Sequence, residues 1–493
     1  MNNLTIHLTV LLFWPLALAL LGATGPRSWA SGVSIVGTVV PFAYAVMMLF
    51  DYDSAAGGLQ YVTNDEWIKA LGIRYYLGVD GLNLWLIALT TLLFLVAAMW
   101  VSFRPVERPR LFTFHLALAE TAVLGAFTAQ DLALFVLFFD LMLVPFYFLV
   151  GQWGSGPDRV AATYKMIIYT LVGSLLMLAG AVATAVLSAD GGTITFTISD
   201  LAQAHLGAST QRWIFTAFAL AFLIKMPLFP FHGWMPDAYR TMPLPALAIF
   251  SGVLSKVAAY GFLRIVLPVF PEAAKDFQSL ILILALLSII YGSAQAFTQT
   301  NARLVLGYSS IAQLGFIVLG IFALDPEGRG AQGALLQMVN HGLVVAPLFL
   351  IIVLLSERSG TEDITKMGGL AFRAPVLASL FLIVALAKLA MPGAANFVGE
   401  FLILLGLFQT KLAIALLAFT GVAMASVYML RMFIRAMHNR LPATGVESRE
   451  VSVADAVVIV PLVLAIIAFA LYPQGALTAS EPATKAAIEQ VVK

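Results

Sequence analysis

Long apolar stretches alternate with short polar loops along the whole chain. Runs of about 20 apolar residues predict helices that span a bilayer. The pattern predicts fourteen spans, with approximate limits 3–22, 31–51, 79–103, 110–129, 131–151, 159–188, 210–231, 243–267, 277–298, 302–323, 331–356, 374–408, 411–437 and 451–472. We therefore expect an all-α, polytopic membrane fold that forms one integral unit over 1–493. The stretches near 52–78, 189–209 and after 472 are too short to bury cores of their own.

Two predicted spans contain breaks. Span seven includes KMPLFPFHGWMP (225–236), and span twelve includes MPGAANFVGE (391–400). Proline interrupts helical hydrogen bonding, and freed carbonyls at membrane depth occur where the backbone is buried in protein or lines a watery cavity. A plain proline kink is the simpler interpretation. Each break, however, lies within eight positions of an ionisable residue, and paired interrupted helices are typical of transporters.

Five charged residues lie inside predicted spans. They are Asp140, Lys225, Lys256, Lys388 and Glu400. A charge at the bilayer centre costs about 3 kcal/mol on insertion scales. Such residues must pair, contact water or have a function, so their presence predicts a path for ions through the membrane.

Composition excludes several other functions. Of 493 residues, 61% are apolar and 11% are charged, against about 25% charged in soluble proteins. The net charge of +1 indicates no nucleic-acid partner. Cysteine is absent, which excludes disulfides and cysteine-ligated metal clusters within the chain, and no phosphate-binding glycine loop is present. We expect no cofactor in this chain, and the lipid bilayer as its surroundings.

Loop charge predicts the orientation. With both termini outside, the inside loops hold 14 of the 27 lysines and arginines, Arg27 among them, and the outside segments hold 8. Because positive loops favour the cytoplasmic side, we expect both termini outside the cell membrane. The loop 60–76 mixes polar and aromatic residues, so we expect it at the membrane interface.

Eight motifs in the same order carry a family resemblance. They are GVDGLNLWLIALT (78–90), AETAVLGAFTAQDLALFVLFFDLMLVP (119–145), KMIIYTLVGSLLML (165–178), KMPLFPFHGWMPDA (225–238), VLSKVAAYGFLR (253–264), GYSSIAQLG (307–315), LLQMVNHG (335–342) and MPGAANFVGEFL (391–402). From about 75 to 435 the chain resembles the antiporter-like membrane subunits of proton-pumping NADH:quinone oxidoreductase (respiratory complex I), in particular the chain M type.

The resemblance implies an architecture and partners. It implies two inverted five-helix repeats, 110–267 (spans 4–8) and 277–437 (spans 9–13), in a bacterial or archaeal cell (inner) membrane. The partners implied are other membrane subunits of the complex, including sister antiporter-like chains. NADH and quinone would be handled by other subunits, and redox chemistry would occur outside this chain.

The resemblance also implies a proton route along Asp140, Lys225, Lys256, His341 and Glu400. A carboxylate stabilises the charged form of a buried lysine, so Asp140 could control the proton on Lys225. The alternative is a structural salt bridge between two helices. Water is expected to fill the gaps, since charged groups on different helices should rarely touch.

Four further residues are candidates outside this route. Glu120 and Lys165 match family positions, and could belong to a polar axis between subunits or pair with their neighbours. His232 lies at the first break and is equally well a structural histidine. Lys388 matches no usual family charge, and could be a salt-bridge partner or an extra proton carrier.

Some positions depart from the family pattern. Asp140 replaces the usual glutamate, and Gln313, which cannot titrate, replaces a frequent histidine. Glu400 stands where the sister chains carry lysine, which favours the chain M type. A carboxylate can also cap a helix N-terminus, but we expect Asn396 to be the better cap after the second break.

The function expected is proton translocation driven by redox chemistry elsewhere in an NADH:quinone oxidoreductase. Three alternatives remain open. The chain could be a subunit of a multi-chain Na⁺/H⁺ antiporter, of a membrane-bound hydrogenase-type complex, or a non-pumping structural membrane subunit.

Overall fold

The computed structural model describes residues 7–26, 28–104, 106–189, 192–204, 206–440 and 449–493. Residues 3–6 of the first predicted span, and Arg27 of a predicted inside loop, lie outside the described residues. The first half of the chain forms α1 (Leu8–Thr24), α2 (Trp29–Asp51), α3 (Leu84–Phe103), α4 (Pro109–Thr128), α5 (Leu132–Leu141), α6 (Leu143–Trp153), α7 (Arg159–Ser188), α8 (Ile198–Gln203), α9 (Ala208–Lys225), α10 (Met235–Thr241) and α11 (Leu244–Val269).

The second half continues the bundle. It forms α12 (Pro271–Thr298), α13 (Ala302–Ile321), α14 (Arg329–Ser359), α15 (Leu370–Arg373), α16 (Pro375–Lys388), α17 (Ala395–Thr410), α18 (Leu412–Met437), α19 (Val453–Leu471) and α20 (Gln474–Val492). Two 3₁₀ turns, Lys69–Leu71 and Phe231–Trp234, and one hairpin of strands β1 (Gln60–Ile68) and β2 (Ile73–Val79) complete the described elements.

The expected helical membrane fold is confirmed. Among the described residues, eleven helices are long and apolar enough to cross a membrane, and α1, α16 and α17 are shorter apolar helices. The outer face of α7 exposes Ile168, Leu175 and Val182, a surface suited to lipid rather than water. The count of fourteen spans and the two inverted repeats stay predictions.

The centre of the bundle consists of α11, α13 and α14. The membrane-length part of α11 and of α13 is entirely buried, and that of α14 almost entirely. The outer helices α2, α18 and α19 bury only about a third of theirs. Polar side chains on the three central helices are therefore shielded from lipid by protein.

Two segments that the hydropathy pattern left without structure are ordered. Residues 60–79 form the antiparallel hairpin, which turns at Gly72 with a φ of 68°. The tail after 472 forms α20, whose buried residues recur at helical spacing, as at Ala476, Ala479 and Ile488. Gln332 of α14 donates a hydrogen bond to the carbonyl of Leu477 (2.8 Å), so α20 is fastened across one end of the bundle.

Both predicted breaks are confirmed. The helix α9 ends at Lys225, and helical structure resumes beyond Pro227 and Pro230. The helix α16 ends at Lys388, and α17 begins at Ala395, after Pro392 and Gly393.

A further interruption lies in the span predicted over 131–151. The helix α5 ends at Leu141, one residue beyond Asp140, and α6 begins at Leu143. Pro145 is the cause, because its ring cannot donate to the carbonyl of Leu141 and crowds it.

Candidate functional site

Lys256 and His341 form a direct contact at the centre of the bundle. Both are fully buried, and Lys256 Nζ lies 2.8 Å from His341 Nδ1. Lys256 also donates to the carbonyl of Ser251. The expectation that charged groups on different helices would rarely touch does not hold for this pair. Two π-helical segments, Phe250–Leu254 and Phe262–Val266, flank Lys256, and such segments are frequent at functional sites.

Two glycines bring the helices of this pair together. Gly252 of α11 faces Gly342 of α14, and a Cβ on Gly342 would lie 2.7 Å from the carbonyl oxygen of Gly252. A side chain on Gly342 would push the helices apart, since small residues allow helix backbones to approach closely in membranes, whereas a Cβ on Gly252 would meet Leu93 of α3 at 2.5 Å. The glycines therefore set the distance between Lys256 and His341.

Glu400 is held by two side-chain amides. Gln313 of α13 donates to Glu400 Oε1 (2.8 Å), and Gln337 of α14 donates to the same oxygen (3.3 Å) and to Gln313 Oε1 (2.6 Å). No backbone N–H at the start of α17 binds a side chain, so Glu400 is not a helix cap. The prediction that Asn396 would be the cap is wrong, because its buried amide has no hydrogen-bond partner among the described residues.

A second close approach positions these amides. A Cβ on Gly399 of α17 would lie 2.6 Å from Gln337 Oε1, and a Cβ on Gly333 of α14 would lie 2.8 Å from the carbonyl oxygen of Gly399. The side chain of Gln337 therefore reaches Glu400 because α14 and α17 almost touch here.

One face of α14 joins the two contacts. Gln337 and His341 are four positions apart, so they are neighbours on the helix surface. We call Lys256, His341, Gln337, Gln313 and Glu400 the central row. Asn340, beside His341, donates to the carbonyl of Ala395 (2.6 Å), which fastens α14 to the start of the helix after the second break.

Lys225 and Asp140 lie together at the first break without forming an ion pair. Lys225 donates to the carbonyl of Phe139 (3.0 Å), and its Nζ lies 4.2 Å from the centroid of the Phe139 ring. Asp140 is in the electrostatic field of Lys225, and its Oδ1 has no hydrogen-bond partner among the described residues. The backbone and ring of the residue before Asp140 thus hold the lysine, and the carboxylate acts on it from a distance.

The step from Lys225 to Lys256 is not bridged by direct contact. In the described part of the chain, no hydrogen bond joins either residue to the other. The ring of Phe222 packs where a Cβ on Gly261 would stand, 2.4 Å from its nearest atom. The interface of α9 and α11 is therefore apolar at that level, and a proton would need water to cross it.

The remaining predicted residues occupy different settings. Glu120 is fully buried in α4, and neither of its carboxyl oxygens has a partner among the described residues. Lys165 forms an exposed ion pair with Asp237 (2.8 Å), beyond the first break. His232 packs its ring on Tyr291 at a centroid distance of 4.8 Å, and its buried Nδ1 has no hydrogen-bond partner among the described residues. Lys388 is fully buried, and its ammonium nitrogen lacks a partner within the described chain.

Sequence reasoning missed a polar extension of the central row. Tyr260 and Arg264 follow Lys256 on one face of α11, four residues apart each time. Arg264 donates to the Tyr260 hydroxyl (2.8 Å) and to Asp80 (2.5 Å), and Asp80 and Arg264 line a cavity of about 330 Å³ beside the hairpin and α20. The spacing Lys256, Tyr260, Arg264 was the available signal.

The sequence contains a weaker indication of the amide contacts to Glu400. Gln313 was noticed only as a group that cannot titrate, and Gln337 was not singled out at all. Their role depends on which faces of α13, α14 and α17 meet. Among the described residues, no group of three or more His, Asp or Glu side chains could hold a metal ion.

Comparison with known proteins identifies a family that this chain matches. The family model described as "NADH:quinone oxidoreductase/Mrp antiporter, TM" matches residues 129–425. NADH-quinone oxidoreductase subunit M of Rhodobacter capsulatus is 34% identical over 491 residues, covering 96% of this chain and 94% of that protein. Subunit M of Rickettsia bellii is 33% identical over 448 residues, covering 90% and 89%.

Solved structures of similar proteins have the same fold as this chain. A chain of respiratory complex I from Thermus thermophilus superposes with a TM-score of 0.90 at 30% identity, covering 98% of this chain and 99% of that one. A chain of the Mrp complex from Dietzia sp. DQ12-45-1b shares the fold, with a TM-score of 0.83 at 22% identity and complete coverage of both chains. The chain is therefore a member of the NADH:quinone oxidoreductase/Mrp antiporter family of membrane proteins.

Proposed function

We propose that this chain is a proton-translocating membrane subunit of an NADH:quinone oxidoreductase, of the chain M type. The observation that carries the proposal is the central row, two sets of polar contacts inside an apolar bundle that meet on one face of α14. Relatives named subunit M match nearly the whole chain, and the complex I chain superposes over nearly its full length. Partner subunits supply the redox energy and bind NADH and quinone.

The proposed route runs from Asp140 and Lys225 through Lys256 and His341 to Glu400. Buried charges are tolerated when they are paired or hydrogen-bonded, and each of these groups has a neighbour that can exchange or stabilise a proton. Loss of the negative charge on Asp140 would favour release of the proton held by Lys225. Water carries it to Lys256, which passes it to His341 by direct contact.

Hydrogen bonds at the helix ends support two repeats, 110–267 and 277–437. Leu132 N–H donates to the carbonyl of Phe196, and Ile198 N–H to that of Gln130 (2.7 and 3.0 Å). The same pair of backbone hydrogen bonds recurs in the second repeat. Ala302 N–H donates to the carbonyl of Glu362, and Ile364 N–H donates to the carbonyl of Thr300 (2.9 and 2.8 Å).

The helix caps of the two repeats match as well. Asp131 and Asn301 each begin the helix at this position, and each accepts a hydrogen bond from the N–H three residues later. Each repeat thus ties its second helix to the loop between its third and fourth helices, which supports the proposed pairing of spans.

The ends of the bundle support an orientation with both termini outside. His7 lies at Thr63 of the hairpin, and α20 lies at the cavity beside the same hairpin, so both described chain ends share one end of the bundle. At the other end, Arg104 binds Asp455, and Arg358 binds the carbonyl of Arg449. The loops richer in positive charge thus cluster on one side, which we assign to the cytoplasm.

The test is NADH-driven proton uptake by inside-out vesicles that contain the assembled complex. Glu400→Gln and Lys225→Ala should each lower the protons moved per NADH oxidised, while NADH oxidation with an artificial acceptor reports unchanged assembly. Lys366→Met, which removes an exposed lysine, is the matched control and should pump like the parent. Parent-like pumping in both test variants would contradict the proposed route.

Sodium separates this proposal from the antiporter alternative. The proposal predicts that proton uptake is independent of Na⁺ and requires NADH. Proton movement that needs Na⁺ and continues without NADH would instead identify a cation/proton exchanger.

A further inference from the structure

Lys388 is a buried lysine that the proposed route does not use. It ends α16 at the second break, it is fully buried, and its Nζ has no hydrogen-bond partner among the described residues. Lysine is almost never fully buried unless it is paired, and an unsatisfied buried polar group calls for a specific explanation. Its position in the bundle supplies one.

Lys388 interacts electrostatically with three titratable residues. Glu400 acts on Lys388 across the second break without an ion pair within 4 Å, and Lys388 in turn acts on both Lys256 and His341. Lys388 is therefore coupled to residues at both ends of the central row. In that row itself, the amides of Gln337 and Gln313 separate His341 from Glu400, and amides cannot take up a proton and give it back at neutral pH.

Glu400 has an unpartnered acceptor oxygen that corresponds to the unpartnered donor of Lys388. Its Oε1 accepts from Gln313 and Gln337, whereas its buried Oε2 has no partner among the described residues. An unsatisfied donor on Lys388 thus stands near an unsatisfied acceptor on Glu400. The lysine side chain has a flexible four-carbon stem, which permits its nitrogen to move between neighbours.

Lys225, the helix-ending lysine at the first break, is held in place by its contacts and so serves as a comparison for Lys388. Lys225 also ends the helix before a proline break, but it is held by the carbonyl and the ring of Phe139. Nothing comparable holds Lys388 within the described chain. The two residues share a location and differ in restraint, which suits Lys388 to carrying a proton rather than serving as a fixed charge.

We propose that Lys388 is a proton-carrying residue that connects the Lys256–His341 pair to Glu400. This inference depends on the proposed function. The proton leaves the ammonium of Lys388 for Oε2 of the Glu400 carboxylate, which yields a neutral amine and a carboxylic acid. The net charge of the pair is zero before and after this transfer, so the transfer leaves no uncompensated charge in the low-dielectric interior. Glu400 then releases its proton onward as the amine regains one from the Lys256–His341 pair, which restores the starting ion pair.

A structural salt bridge across the break is the competing explanation. Arginine separates the two, because its guanidinium keeps the positive charge and is not deprotonated in proteins. If Lys388 only supplies charge, Lys388→Arg should pump like the parent. If Lys388 carries the proton, Lys388→Arg and Lys388→Met should both lower the protons moved per NADH toward the value of Glu400→Gln. The exposed Lys366→Met serves as the matched control.

An infrared measurement on the purified complex tests the coupling of Lys388 to Glu400 directly, so the inference can still be overturned if the arginine variant does not assemble. Without its lysine, buried Glu400 should take up a proton, so Lys388→Met should gain a carboxylic-acid carbonyl band that Lys388→Met/Glu400→Gln lacks. Parent-like pumping by Lys388→Arg, or absence of that band, overturns the inference. If Glu400→Gln and Lys225→Ala lose pumping while both Lys388 variants keep it, only the role of Lys388 fails and the proposed function stands.

Discussion

Each of the two broken helices ends in a buried lysine just before its break, but the contacts of the two lysines differ. At the first break, Lys225 is fastened by the carbonyl and ring of Phe139, and Asp140 acts on it from a distance. At the second break, the carboxylate of Glu400 is fastened by two amides, and Lys388 is left without a hydrogen bond among the described residues. The first half of the bundle thus fixes its base, and the second half fixes its acid.

That difference matters for the direction of control. A fixed lysine responds to a change of charge on its neighbour, as Lys225 would respond to Asp140. A fixed carboxylate beside a free lysine suits the end of a route, where a proton arrives and is released. The helix α14 contacts Glu400 of the second half through Gln337 and Lys256 of the first half through His341.

The largest effect is expected where the two halves meet. Gly342→Val should force α11 and α14 apart, because even a Cβ would lie 2.7 Å from the carbonyl oxygen of Gly252. Overpacking of this kind costs about 1–3 kcal/mol, and the Lys256–His341 contact should be lost. Proton uptake per NADH should fall strongly, and the thermal stability of the complex should drop.

The control for that variant is Gly32→Ala in α2, where a Cβ meets nothing within 4 Å. It should pump and melt like the parent. If Gly342→Val pumped normally, the contact between Lys256 and His341 would not be part of the route.

An intermediate effect is expected at the amides of the second half. Gln313→Leu removes the 2.8 Å hydrogen bond to Glu400, and a hydrogen bond to a charged group contributes about 1.5–3 kcal/mol. Proton uptake should slow without being abolished, because Gln337 still reaches Glu400. Gln313→His should take up protons faster than Gln313→Leu, since imidazole can both donate a hydrogen bond to the carboxylate and titrate. Equal pumping by the leucine variant and the parent would show that the amide does not position Glu400.

The smallest effect is expected at the ring under Lys225. Phe139→Leu removes a cation–π contact, worth about 0.5–2 kcal/mol, and keeps the backbone carbonyl that accepts from the lysine. The variant should pump at a reduced rate while NADH oxidation by an artificial acceptor is unchanged. Phe135→Leu removes an equally buried ring of α5 that is not in contact with the lysine, and it should match the parent. If the two variants slowed pumping equally, the ring would be a packing group only.

Hydropathy and proline placement predicted most of the architecture. The apolar runs identified the helices, and Pro227, Pro230 and Pro392 marked the breaks, because each of these signals is local to its own segment. The buried charges Lys225, Lys256 and Glu400 were equally visible, since a charge in an apolar run is costly wherever the run packs.

Contacts between helices were not predictable in the same way. The hydrogen bonds of Gln313 and Gln337 to Glu400 depend on which helix faces meet, and small residues such as Gly333 and Gly399 decide that. The helix α20 was overlooked because its apolar positions are mostly alanine and its face is buried only by the bundle above it. The hairpin likewise gains its order from packing at the end of α1, where Thr9 lies 3.0 Å from the Tyr75 hydroxyl.

The most direct test of the account is the proton yield of Lys256→Met. This variant removes the titratable group of α11 that contacts His341 of α14, and it keeps the apolar volume of the site. The account predicts fewer protons moved per NADH oxidised than in the parent or in the exposed control Lys366→Met, with assembly unchanged. A yield equal to that of the parent would contradict the claim that protons cross the membrane through the central row.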